Sequence, residues 1–170
     1  MDFKEIIQIA LDEYKEDLLS ALDGLTAEER RFQPTPESNH IDFTVWHMAR
    51  VEDDWIQRFA QGADTIWQRE DWYTKLGLPE RDSGFGYNAE QIKGLPQYDF
   101  DTLLAYYGAV GKVTSEYVKG LPPEDLDHVP RPDRRPGYTI GKMFSHVIIE
   151  EAQHVGHVAY LRGMQRGLDK

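Results

Sequence analysis

The stretch "EEAQHVGH", Glu150 to His157, decides how this chain is read. Glu150, His154 and His157 are spaced four and three apart, so on a helix they project from one side. The flanking residues, "MFSHVII" before and "VAYL" after, are largely apolar. At about 100° per residue His146 falls in the same sector, within roughly 40° of Glu150, and Met143, Leu161 and Met164 share it. The stripe is apolar at both ends and polar in its middle. Burying a carboxylate and several imidazoles without partners costs several kcal/mol, so something must compensate them.

Three compensations are open. Glu150 can pair with a histidine or arginine of a neighbouring helix in a purely structural network. The face can lie at a groove or a dimer seam. Or the i, i+4 pair Glu150 and His154 holds a divalent metal with a further ligand from another helix. A second helix supplies one histidine, His47, near its start, and the same sector carries Phe43, Val51 and Asp54. A set of two histidines and one carboxylate leaves coordination positions for water and substrate, the arrangement of a catalytic site rather than a closed structural one. His146 can replace a member of the set, and His157 is either a fourth ligand or a hydrogen-bonding support for one. Asp54 is expected to support or face the site, Glu52 and Asp53 to be solvated, and His40 and His128 to be exposed in loops. Arg50 and Arg58 either reach an anionic substrate group or form surface ion pairs.

The rest of the chain supplies the bundle that such a site needs. Phe3, Ile7, Ala10, Leu11, Tyr14, Leu18 and Leu22 form one helical stripe ending near Gly24. The second helix runs from about Asp42, its expected N-cap, to about Gln61. A third spans roughly Asp99 to Lys119, with Leu103, Leu104, Tyr107, Val110, Thr114 and Tyr117 at threes and fours. The fourth starts after Thr139, an N-cap, and runs to about Gly163 or beyond. Helices of roughly 20 residues are about 30 Å long, matched for a four-helix bundle. Between the second and third lies a connection of about 36 residues, too long for a plain loop. In it "DTIWQREDWYTKLG" reads as a short helix and "DSGFGYNAEQIKGLP" as a glycine-rich turn leading into another. The fold expected is all-α: a four-helix bundle with a long, partly helical connection between helices 2 and 3.

Composition bounds the function. The 170 residues suit one domain spanning 1–170. The net charge is −11 and no basic cluster could neutralise a row of phosphates, so nucleic acid and anionic membranes are poor partners. Charged residues interrupt the N-terminal apolar pattern, and no stretch approaches the roughly 18 apolar residues of a membrane span. A cytoplasmic protein is expected. The absence of cysteine removes disulfides, zinc–thiolate sites and thiol nucleophiles together. Ser145 adjoins His146, but neighbours on a helix point about 100° apart, and no nucleophile elbow is visible.

"FTVWHMARVEDDW" and "EEAQHVGHVAYLRG" resemble the two signature segments of the DinB/YfiT-like superfamily, compact bacterial four-helix proteins, and "KLGLPERDSGFGYNAEQI" is similar to a segment of one branch. The resemblance covers most of the chain. It implies a metal bound by His47, Glu150 and His154. Many members carry histidine where this chain has Glu150, and glutamine where it has His157. Relatives include transferases and isomerases that use mycothiol, bacillithiol or glutathione, and proteins described as metal-dependent hydrolases. In the chemistry they share, the metal stabilises a deprotonated thiol or water.

Three functions follow. The first is a metal-dependent enzyme activating a low-molecular-weight thiol or water against a small electrophilic substrate, as a thiol S-transferase or hydrolase. There His47, Glu150 and His154 hold the metal, His157 or Asp54 orients a ligand or moves a proton, and Trp67, Trp72, Phe85 and Tyr87 wall the cavity. Zinc suits the ligands best; nickel, iron and manganese are compatible. The second is a non-catalytic metal- or ligand-binding stress protein or interaction partner. The third is a bundle whose His–Glu network only fixes helix register. Apolar surplus on helices one and four, including Ile148, Ile149 and Val155, points to a homodimer.

Overall fold

Asp2 starts the first helix with a capping box: its side chain accepts from the Glu5 backbone N–H, and the Glu5 side chain accepts from the Asp2 N–H. In the computed structural model, which describes residues 1–167, this helix is α1 (Phe3–Leu22). It buries Leu11, Tyr14, Leu18, Ala21 and Leu22, while Phe3 and Ile7 are only partly covered. A short α2 (Ala27–Arg30) leads to α3 (Ile41–Asp53), which continues as a π-helical run over Asp54–Ala60. The long connection holds α4 (Ile66–Arg69), α5 (Trp72–Leu76) and α6 (Ala89–Lys93). α7 (Phe100–Gly120) and α8 (Ile140–Arg166) complete the bundle, with Thr139 capping α8 as its sequence predicts.

α1 packs on α8 and α7, and α3 packs on α7 and α8. The four long helices thus form a ring with α1 diagonally opposite α3. The architecture is the all-α bundle with a partly helical connection that the periodicities predict, and no strand occurs among the described residues. No helix among them is long and apolar enough to cross a membrane.

α3 differs from its reading. Every one of its residues is buried, charged ones included. Glu52 and Asp53, expected in solvent, lie inside because partners distant in sequence meet them. Asp53 accepts from the backbone N–H groups of Ile66 and Trp67 at 3.0 and 2.9 Å and from the Tyr106 hydroxyl at 2.8 Å. It thereby caps α4, whose own Thr65 side chain makes no capping bond. Glu52 accepts from the Tyr14 hydroxyl at 2.9 Å across the diagonal of the bundle. Asp42 is not the N-cap; it is buried against Arg30, whose Nε lies 2.9 Å from its Oδ1. The cap is His40, whose Nδ1 accepts from the Phe43 N–H at 3.0 Å, so His40 is buried rather than exposed in a loop. His128 is exposed.

Arg50 is fully buried, which excludes both of its expected roles. Its guanidinium donates to the Asp82 carbonyl at 2.9 Å and the Tyr106 hydroxyl at 3.2 Å, and pairs with Asp53 and Asp54 at 3.4 Å. It therefore rivets the long connection to α3.

Candidate metal centre

α3 and α8 run side by side, and each contributes one side of a small polar cluster. His47 from α3 and the i, i+4 pair Glu150 and His154 from α8 each offer an atom, all lying within 4.8 Å of one another. His47 Nε2 is 3.9 Å from Glu150 Oε1. That spacing is longer than a hydrogen bond and suits two ligands about 2 Å from one ion.

The orientation of His47 comes from the connection. Its Nδ1 meets the Ser83 carbonyl oxygen at 2.6 Å, and a carbonyl only accepts, so Nδ1 carries the proton and the Nε2 lone pair faces Glu150. Phe43, one turn earlier, stacks on the ring at 5.8 Å between centroids with planes 8° apart. The Ser83 segment is held in turn: Asp82 Oδ1 accepts from the Ser83 and Gly84 N–H groups, and Asp82 Oδ2 accepts from Tyr87. Gly84 has φ +74°, and a Cβ there would lie 2.8 Å from both Phe43 and Trp46. Only glycine allows so close an approach to α3.

On α8, His146 Nε2 meets Glu150 Oε2 at 2.8 Å, leaving Oε1 turned toward His47. His154 packs edge-on to His47 at 5.2 Å between ring centroids. Its Nδ1 is buried without a hydrogen-bond partner among the described residues. Burial first, then the charges of His47 and His157, bring its pKa down to about 4. At neutral pH it is an uncharged imidazole with a lone pair, the form a metal requires. A neutral imidazole of His154, together with the His47 Nε2 and a free carboxylate oxygen, is a donor set that fits a divalent cation.

The cluster opens into a cavity of about 610 Å³ lined by Glu150, His154, His146, Asp54, Trp55, Phe59 and Phe85 among others. Asp54 faces it but is tethered, with Arg50 at 3.4 Å and Arg58 at 3.3 Å. His157 is exposed and does not line the cavity; its ring centroid sits 5.5 Å from that of His154. The expected aromatic wall is corrected. Trp67 and Trp72 are buried against Tyr106, and Tyr87 packs on Phe43 and Trp46. Of the four only Phe85 lines the cavity, and Trp55 and Phe59 from the π-helical run do the rest. Trp55, Phe59 and the Ser83 carbonyl are the contributors that sequence reasoning missed. The signals present were an aromatic pair at i, i+4 and the paired glycines of "SGFGY".

No curated protein matches this chain in sequence. The crystal structure of a conserved protein from Enterococcus faecalis is similar over 99% of each chain, with TM-score 0.86 and 23% identity, a likeness that shows the fold alone. The family model described as mycothiol-S-transferase matches residues 7–167, nearly the whole sequence, and the chain belongs to that family.

Proposed function

We propose that this protein is a metal-dependent thiol S-transferase, in which His47, Glu150 and His154 hold one divalent cation, zinc by preference. The observation that carries the reading is the convergence of those three donor atoms within 4.8 Å at the wall of a cavity large enough for small substrates. Family membership supports thiol transfer over hydrolysis. A cation held there supplies Lewis acidity, lowering the pKa of a thiol that reaches it toward neutrality.

The chain's own residues do the rest. Ser83 fixes the tautomer of His47, and His146 holds Glu150 so that one oxygen stays free. Trp55, Phe59 and Phe85 line the cavity and cover the apolar part of an electrophile. In the transfer, the sulfur forms a bond to an electrophilic carbon, its proton passes to a base, and the leaving group departs with the bonding pair. Asp54, on the cavity wall, orients the incoming molecule; His157, behind His154, acts only through that ring. A homodimer belongs to the proposal too, through exposed apolar residues of α1 and α8 such as Ile6, Ile9 and Tyr160. Val155 is buried within the fold and drops out of that surface. A concentration-independent monomer in light scattering removes the dimer.

The test is metal analysis of protein purified without a nickel column, alongside His154→Ala and an assay of thiol consumption against a panel of electrophiles. About one metal per chain is expected, released by the substitution, with turnover lost and helicity retained. Bound metal with no turnover on any thiol would return the protein to a non-catalytic binding role. A chain that never binds metal and only loses stability in the variant would make the cluster structural.

A further inference from the structure

The chain carries a net charge of −11, yet four arginines line a small depression next to the cavity. A depression of about 190 Å³ is lined by Asp54, Arg58, Phe59, Arg131, Arg134 and Arg135. It shares Asp54, Phe59 and Arg135 with the larger cavity beside the candidate metal ligands, so the two adjoin. We infer that this arginine rim is an anion-recognition subsite, and that the electrophilic substrate carries a carboxylate or phosphate group on an apolar, aromatic-sized body.

Three of the four guanidinium groups are held in place by the fold. Arg135 lies over the Trp55 ring at 4.8 Å and the Tyr138 ring at 5.3 Å. Arg131 donates to the Arg58 carbonyl at 2.9 Å, and Arg58 pairs with Asp54 at 3.3 Å. Arg134 is largely solvent-exposed, its nearest carboxylate being that of Asp133 at 3.9 Å. Asp54 is the only carboxylate among the described lining residues, and it already answers the buried Arg50. Positive charge therefore exceeds negative charge here, and bringing like charges together is unfavourable until an anion enters. Guanidinium forks match planar carboxylates and phosphates in two-point contacts, and the placement of Arg135 over Trp55 reduces the ordering cost of binding. Beside them Trp55 and Phe59 line the larger cavity and supply an apolar wall for the body of the same molecule.

This inference rests on the preceding functional reading for the use of the cavity, but binding tests it without turnover. Calorimetric titrations of the full chain use benzoate, phenyl phosphate and benzamide, alike in body and different in charge. At least one anion is expected to bind about tenfold or more tightly than benzamide, and to lose that advantage in the double variant Arg58→Gln/Arg134→Gln and in high salt. The stronger of the two anions identifies carboxylate or phosphate. Equal binding of all three, no binding, or an anion preference indifferent to the substitutions overturns the inference. If the double variant does not fold, the salt dependence in the wild-type chain decides. Arginine-dependent anion binding without thiol transfer on any electrophile would sink the transferase reading and leave the subsite. Transfer to charged and neutral electrophiles alike would do the reverse.

Discussion

The Ser83 carbonyl oxygen sits 2.6 Å from His47 Nδ1, which makes a backbone atom of the long connection the group that aims a side chain of α3. What brings it there is Gly84, whose backbone presses on Phe43 and Trp46. Gly84→Ala is expected to cost about 2–4 kcal/mol, from strained left-handed backbone and from overlap with two core rings that cannot retreat. Zinc affinity is expected to fall about 10–100-fold as His47 loses its alignment. Urea denaturation and a zinc-competition titration check the two effects. Unchanged values for both would mean that the segment does not hold the histidine.

His146 tests the other side of the cluster. It meets Glu150 at 2.8 Å with its own side chain 45% exposed, so its removal should matter more to the carboxylate than to the fold. His146→Leu is expected to change stability by less than about 1 kcal/mol and to weaken metal affinity by about tenfold or more. His146→Gln, which keeps a donor, should recover much of the affinity. Complete loss of bound metal in both variants would instead make His146 a ligand in place of a supporting group.

His40 links local capping to acid stability. Burial, then the charge of Arg31, brings its pKa from the ordinary 6.5 down to about 4, and among the described residues its Nε2 has no hydrogen-bond partner. The folded value lies below the unfolded one, so the contribution is intact above pH 6.5 and is lost as pH falls toward 4. Up to about 2–3 kcal/mol is at stake. His154 titrates in the same window, so the informative quantity is the difference between wild type and His40→Asn, which keeps the capping acceptor. Urea midpoints of the two chains should diverge between about pH 6.5 and 4.5, with the variant less acid-sensitive. Parallel curves would exclude the mechanism.

What the sequence made legible follows from where contrast exists. α1 and α7 each keep a solvated side, so their stripes could be read and their ends fell close to the expected residues. α3 has no solvated side, and its charges are answered by residues far away in sequence: Asp42 by Arg30, Asp53 by Ile66, Trp67 and Tyr106, Arg50 by Asp82. No local pattern encodes those partners, so the same charges read as surface. The pairing of Glu150 with His154 was visible because one helix carries both at i, i+4. The Ser83 contact was not, because a carbonyl has no residue-type signature, and nothing in "DWIQRFA" marks a π-helical run that turns Trp55 and Phe59 to the cavity.

Glu151 supplies the sharpest test of how the bundle tolerates its polar interior. It adjoins Glu150 but points into the core, fully buried, and neither of its oxygens has a hydrogen-bond partner among the described residues. Burial first, then the charges of Glu52 and Glu150, push its carboxyl well above the ordinary range, with only Lys15 opposing. Nearby Tyr107 makes no hydrogen bond to it and Tyr14 is engaged with Glu52, so among the described residues no donor reaches a second carboxylate. A folded pKa above the unfolded one means that the protonated form favours folding. Its contribution is present below about pH 4.5 and is lost progressively as pH rises past that, opposite in sign to His40. Glu151→Gln keeps the shape and removes the proton equilibrium. The variant should therefore be more stable than wild type near pH 8, by a margin that shrinks steadily toward about pH 5. Urea midpoints measured for both chains across that range decide it, since equal pH dependence would require a charged Glu151 with a counter-ion inside the bundle.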